Sequence, residues 1–143
     1  MTMVSIEKFV KSRPICFVAS VDEDSFPNIK AMLKPRKMQG IKEFYFSTNT
    51  SSLRAKQFLK NPKASLYFYR KGLFRYTGVM LIGKMDVLTD EVIKKALWRK
   101  HDVVFYQKGV DDPDYCILRF TSEKGRYYRD LHTEDFAIET DKT

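Results

Sequence analysis

Apolar residues at Ile6, Phe9 and Val10 follow the i, i+3, i+4 spacing of a helix that buries one stripe, and Pro14 ends that segment. The next run, ICFVASV over Ile15–Val21, is almost continuously apolar and reads as a strand covered on both faces. DEDSFP then supplies turn-forming residues, and residues 28–33 return as a second strand, so the pair predicts a hairpin. The second strand is less apolar. It carries Lys30 and Lys34 around Ala31, Met32 and Leu33 and stops at Pro35, so one of its faces meets water or charge.

Beyond a loop centred on Gly40, EFYFSTN alternates aromatic with other residues and runs into a polar corner over residues 47–52. There strand gives way to helix: Ser51 or Ser52 can cap LRAKQFLK, Leu53, Phe58 and Leu59 can bury one side, and Asn61-Pro62 ends it. ASLYFYR is again strand. RYTGVMLIGKMDVLT reads as one long strand or a bent pair, with Gly78 and Gly83 marking bulges where a sheet curls. Thr89 or Asp90 can start a further helix through Val92, Ile93, Ala96 and Leu97, with Trp98 at its end. HDVVFYQKGVDDPDY mixes bulky apolar residues with Gly109 and Pro113 and has no legible period, whereas residues 115–120 and 125–128 read as the last strands. The expectation is a mainly β protein, a six-stranded antiparallel β-barrel with short flanking helices. A single domain would span residues 1–143, with 139–143 a disordered tail.

Composition narrows the function classes. With 143 residues and 43% hydrophobic content, the chain can bury roughly two-thirds of its unfolded surface in one core. No run approaches the about 18 apolar residues of a membrane span, and the start, MTMVSIEKFVKSRP, lacks a secretory signal, so a cytoplasmic protein with no membrane partner is expected. Cys16 and Cys116 form no CxxC, and His101 and His132 add no cluster of metal-site spacing, so no metal is expected and the cysteines read as buried, reduced thiols. The formal charge of +8 calls for an anionic partner: a nucleic acid, a membrane or a phosphorylated small molecule.

The densest candidate chemistry is FSTNTSSLRAK. Ser47, Thr48, Asn49, Ser52 and Arg54 surround a strand-to-helix corner, where free amides and the positive helix end favour a phosphate and Arg54 can add paired hydrogen bonds. Lys30 and Lys34 share one face of their strand and complete such a site if that strand runs alongside. The same residues also read as a plain helix cap with solvated lysines. Tyr67, Phe68, Tyr69, Phe74 and Tyr76 alternate with Arg70, Lys71 and Arg75, which suits core and dimer packing, a ligand wall, or a platform for nucleic-acid bases, the last the least favoured. His101 beside Asp102 allows an oriented imidazole but has no nucleophile in a matching context, His132 reads as peripheral unless the C-terminal strand carries it to a dimer interface near a substrate, and Asp111-Asp112-Pro113-Asp114 reads as a loop cap or interface feature and not a metal site. No residue is singled out as a catalytic acid or base.

The run FYFSTNTSSLRAKQFLKNPKASLYFY, with GVDDPDYCILRF and GRYY further on, resembles the pyridoxamine-phosphate-oxidase-like, FMN-binding split barrels, in particular their general-stress-protein branch, over about residues 5 to 130. The matching features are Lys30 to Lys34, Thr48-Asn49, Ser52-Leu53-Arg54 and Asn61-Pro62. The resemblance implies a six-stranded split barrel and a homodimer with FMN at its two-fold interface. Arg54 and Ser52 would hold the flavin phosphate with help from Lys30, and the ring would lie near Ala31, Met32, Leu33, Ser47 and Thr48. It further implies an oxidoreductase passing hydride or electrons between FMN and a small molecule, with reduced nicotinamide as a possible donor. The alternative is a non-catalytic stress protein that binds flavin or another phosphorylated ligand. Two departures stand out: Lys30 where many relatives have Arg, and Tyr127-Tyr128 where many have Trp.

Overall fold

The computed structural model describes residues 2–139. Helix α1 (Met3–Lys11) buries Ile6, Phe9 and Val10, the stripe its spacing demands, and Thr2 caps it by accepting from the Ser5 amide. Strands β1 (Ile15–Val21) and β2 (Pro27–Leu33) form the expected hairpin, followed by a short strand β3 (Lys37–Gln39) and by β4 (Glu43–Asn49). Helix α2 (Leu53–Lys60) leads into β5 (Lys63–Lys71) and β6 (Tyr76–Leu88), and α3 (Glu91–Leu97) begins at an Asp90 cap. Two 3-10 turns, Lys100–Val104 and Gly109–Asp111, precede β7 (Tyr115–Arg129) and β8 (His132–Ala137).

The strands lie in one antiparallel sheet of order β2-β1-β5-β6-β7-β4-β3, with β8 added to β7. This corrects the expected six-stranded barrel: the described residues form eight strands and the sheet is not closed. The extra strands left no pattern in the chain. Strand β3 has three residues, and β8 (HTEDFA) is almost wholly exposed, so neither needs an apolar alternation. Segment 125–128 is the far half of β7, whose one edge pairs with β6 while the other is shared by β4 and β8.

The β6–β7 register shifts at Gly83. Between the pairs Ile82↔Lys124 and Gly83↔Ser122, Glu123 is an extra residue on β7, a bulge of the kind that re-aims a strand. A side chain at Gly83 would collide with the Thr121 carbonyl, so glycine lets the two backbones close up at the bulge. Gly78 differs from expectation: its pairing runs unbroken, and the Tyr67 ring lies across it.

Inside the curl, Phe44, Phe46, Leu66, Phe68, Leu81, Met85 and Phe120 form the main core with the α1 stripe. Strand alternation sends Tyr45, Tyr115 and Ile117 to the opposite face. There α3 and the 3-10 turns cover them: Trp98 meets the Tyr115 ring edge-on at 5.0 Å, Tyr106 packs beside it, and the Tyr115 hydroxyl donates to the Lys94 carbonyl at 2.9 Å. The segment without a legible period is therefore a cover for this second cluster. Burial pushes the Tyr106 and Tyr115 hydroxyls up to about 12. Of the expected disordered tail, all but Glu139 lies outside the described residues.

Candidate functional site

The polar corner is already partly satisfied within the chain. The Ser52 hydroxyl caps α2 by accepting from the Ala55 amide at 3.1 Å. The Thr50 and Ser51 amides donate to the carbonyl and the side chain of Asp114, at 2.7 and 2.8 Å, and the Thr50 hydroxyl donates to the Pro113 carbonyl. Asn49 donates its side-chain amide to the Ser51 hydroxyl. The acidic loop is thus a cap, as its sequence implied, and it ties down the corner. The corner is not an open nest of donors.

Arg54 is the exception. It stands in the first turn of α2, half-buried, and its buried Nε has no hydrogen-bond partner among the described residues. Among the described residues its side chain makes one hydrogen bond, from Nη2 to the hydroxyl of buried Thr48 at 3.4 Å. Burial lowers its pKa from the ordinary arginine value, the sign of a cation lacking an anion.

Arg54 lines two cavities. One of about 240 Å³ is lined by Ala31, Met32, Leu33 and Lys34 on one side and by Phe46 and Ser47 on the other, with Arg54 between. It lies where the sheet stays open, between edge strand β2 and β4 near the sheet's other end. A second, of about 160 Å³, has Lys30, Ile29, Asn28 and Leu53 in its wall together with Arg54. Lys30 pairs with Val18 and Met32 with Cys16, and paired residues share a face, so β2 turns both toward the inside of the curl. Of the residues singled out by sequence, Thr48, Asn49 and Ser52 line neither cavity; Thr48 reaches the site through its hydroxyl's contact with Arg54.

Arg36 and Arg99 complete the larger cavity and had no sequence signal. The Arg36 guanidinium grips both carboxylate oxygens of buried Asp102, with Nη2 to Oδ1 at 2.6 Å, and Nη1 also donates to the Leu97 carbonyl at 2.9 Å. Asp102 further accepts the Arg99 amide at 2.8 Å. Hydrogen bonds from Arg36 hold the Asp102 carboxyl below the usual range, and the same bonds raise Arg36. Asp102 therefore orients Arg36 and not the exposed His101.

The remaining candidates stand apart. His132 is exposed on β8, 3.8 Å from Glu134. Among the described residues no group of His, Cys, Asp and Glu could hold a metal. Cys16 and Cys116 are buried and free, and burial pushes both thiols up. The aromatic stretch divides: Phe68 is core, Tyr67, Tyr69 and Tyr76 line an open depression of about 520 Å³ with Phe17, Ile29 and Met80, and Phe74 is exposed at a hairpin end. No helix among the described residues is long and apolar enough to cross a membrane.

Residues 4–129 match the family described as pyridoxamine 5'-phosphate oxidase. The chain belongs to that family. It is 35% identical over 75 residues to a pyridoxine/pyridoxamine 5'-phosphate oxidase of Rhizobium leguminosarum bv. trifolii, a match covering 51% of this chain and 34% of the relative. The matched segment thus spans about a third of the length of such curated relatives. Among solved structures it is 40% identical, at a TM-score of 0.82, to a Clostridium acetobutylicum protein related to general stress protein 26 of B. subtilis, covering 95% of this chain and 94% of that one. General stress protein 26 of Bacillus anthracis shares the fold, with a TM-score of 0.74 at 16% identity over 95% and 98% of the two chains. The family and its stress-protein branch are those that the Thr-Asn, Ser-x-Arg and Asn-Pro features implied.

Proposed function

We propose that this chain is a cytoplasmic, homodimeric flavoprotein that holds FMN in the opening between β2 and β4 and passes hydride or electrons between the flavin and a small molecule. The observation that carries the reading is Arg54: a half-buried guanidinium that lines two cavities and whose Nε has no partner among the described residues calls for an anion. A phosphate group meets that demand. In this reading Arg54 binds it, Lys30 adds charge from β2, and the Ser52 hydroxyl still has a proton to donate while its oxygen caps the helix. Ala31, Met32, Leu33, Ser47 and Thr48 hold and cover the ring, and Lys34 and Arg99 set a positive field at the rim. Asn49 is relieved of the phosphate role, since it braces Ser51.

Cavities of about 240 and about 160 Å³ each fall below the roughly 300 Å³ at which ligand pockets begin, which supports a pocket completed by a second copy. When bound, the flavin supplies the redox chemistry, while this chain's residues position it, exclude water and place positive charge near it. The chain carries no GxGxxG, so a reduced nicotinamide would dock against the flavin face. The test is the visible spectrum and solution mass of the purified protein. Oxidised-flavin absorbance in proportion to dimeric chain supports the binding reading, and anaerobic bleaching by reduced nicotinamide supports the redox step. A colourless protein that FMN cannot reconstitute overturns both. Tight FMN binding that no electron donor bleaches favours a flavin store or sensor.

A further inference from the structure

Turns between strands normally carry Gly, Asn, Asp, Ser or Pro, because these satisfy the turn backbone and face water. The β5–β6 turn instead places Leu73 and Phe74 between Gly72 and Arg75, whose amide and carbonyl close it at 2.7 Å, and leaves them 88% and 91% exposed. The neighbouring β7–β8 turn exposes Leu131 completely. These two hairpin ends are joined: Tyr76 and Asp130 exchange hydrogen bonds at 3.0 Å, and Arg75 lies 3.5 Å from the Asp130 carboxylate. One exposed leucine needs no explanation. Three large apolar side chains on adjoining tips do.

The tips are ringed by cations. Arg70, Lys71, Arg75 and Arg129 are exposed around them, and Arg13 and Arg70 both stack on the Phe9 ring, at 5.1 and 5.7 Å, which extends the positive collar to α1. Asp130 is engaged by Arg75 and the Tyr76 amide, and Glu134 sits beside His132.

We infer that these hairpin tips dock on an anionic lipid bilayer, with Leu73, Phe74 and Leu131 entering the headgroup–acyl boundary and the collar meeting lipid phosphates. The partner must be apolar and negative together. A second copy joined through the same tips would set each arginine collar against itself. Nucleic acid supplies the charge but nothing for aliphatic Leu73 and Leu131. The three tip residues are almost wholly exposed and so protrude, which suits a fluid surface better than a shaped groove. The expectation of no membrane partner rested on the lack of a spanning segment and does not bear on surface docking. The inference is independent of the flavin reading.

The test is co-sedimentation of the full chain with vesicles of phosphatidylcholine alone and of equal parts phosphatidylcholine and phosphatidylglycerol. Binding is expected only to the second, falling as salt rises. The double substitution Leu73→Ser, Phe74→Ser should weaken it by about a hundredfold or more, and Arg70→Gln, Lys71→Gln by about thirtyfold. Leu73, Phe74 and Lys71 are exposed and Arg70 is exposed apart from its stacking on Phe9, and circular dichroism checks that each variant keeps the fold. No binding to the anionic vesicles, equal binding to both kinds, or unchanged binding by the serine variant overturns the inference. So does a change of solution mass on the serine substitutions, which would make the tips a contact between copies. Flavin content, measured on the same samples, reports the other site separately.

Discussion

Replacing Arg54 by Met separates what this side chain does for a ligand from what it does for the fold. In the ligand-free chain its Nε is buried without a partner, and an unsatisfied buried donor costs about 1–3 kcal/mol. The residue is half-buried, so the low end applies. Met keeps an aliphatic stem of similar length and removes the charge together with the Nη2 contact to Thr48. Ligand-free Arg54→Met should then be about 1 kcal/mol more stable than the parent in urea unfolding, compared at one chain concentration. Toward FMN the sign reverses. Loss of charge-assisted hydrogen bonds to a phosphate removes about 2–4 kcal/mol, roughly thirty- to a thousandfold in Kd. Riboflavin, which lacks the phosphate, should lose no more than about threefold by the same reasoning. Quenching of flavin fluorescence measures both constants. Equal losses for FMN and riboflavin, or a ligand-free variant less stable than the parent, would refute the assignment of Arg54 to a phosphate.

Asp102→Asn leaves Arg36, whose side chain is 15% exposed, without its anion, and should cost about 3–5 kcal/mol in urea unfolding. Because the folded Asp102 carboxyl lies below its usual range, its contribution is present above the unfolded value of about 3.9 and is lost as pH falls through the lower folded value; acid titration of stability should be flatter for the Asn variant across that window. Gly83→Ala puts a methyl against the Thr121 carbonyl at the bulge, and a loss of about 2–4 kcal/mol or failure to fold is expected, whereas a neutral result would show that β6 and β7 can part there. Ser52→Ala removes the α2 cap and should cost about 1 kcal/mol by thermal unfolding.

Most local structure was legible in the chain because local spacing decides it. The Ile6, Phe9, Val10 stripe, a cap at Ser51 or Ser52, the Asn61-Pro62 stop, a start at Thr89 or Asp90 and the bulge at Gly83, though not one at Gly78, each follow from a few neighbouring residues. Strand β8 was not legible because its reason lies elsewhere: β7 has a half edge beyond β4, and the Phe136 ring fills the space over Gly125. Likewise the 3-10 turns are ordered by Tyr45 and Tyr115 on the outer face of the sheet, which no period within that segment records.

The same division runs through the candidate site. Lys34, Ser47 and Arg54 were brought out by a charged edge strand and a strand-to-helix corner, which are local features, and Ala31, Met32 and Leu33 by the family resemblance; all six line one cavity, Lys30 lines the neighbouring one, and Thr48, Asn49 and Ser52 line neither. Only the tertiary structure decided which corner groups stay available. Asp114 takes the Thr50 and Ser51 amides, and Asp102 neutralises Arg36 across 66 residues of sequence, so Arg54 is left lining both cavities with no anion among the described residues. Hydrogen-bond demand is a property of type and is written in the sequence; whether it is met depends on neighbours that only the folded chain supplies.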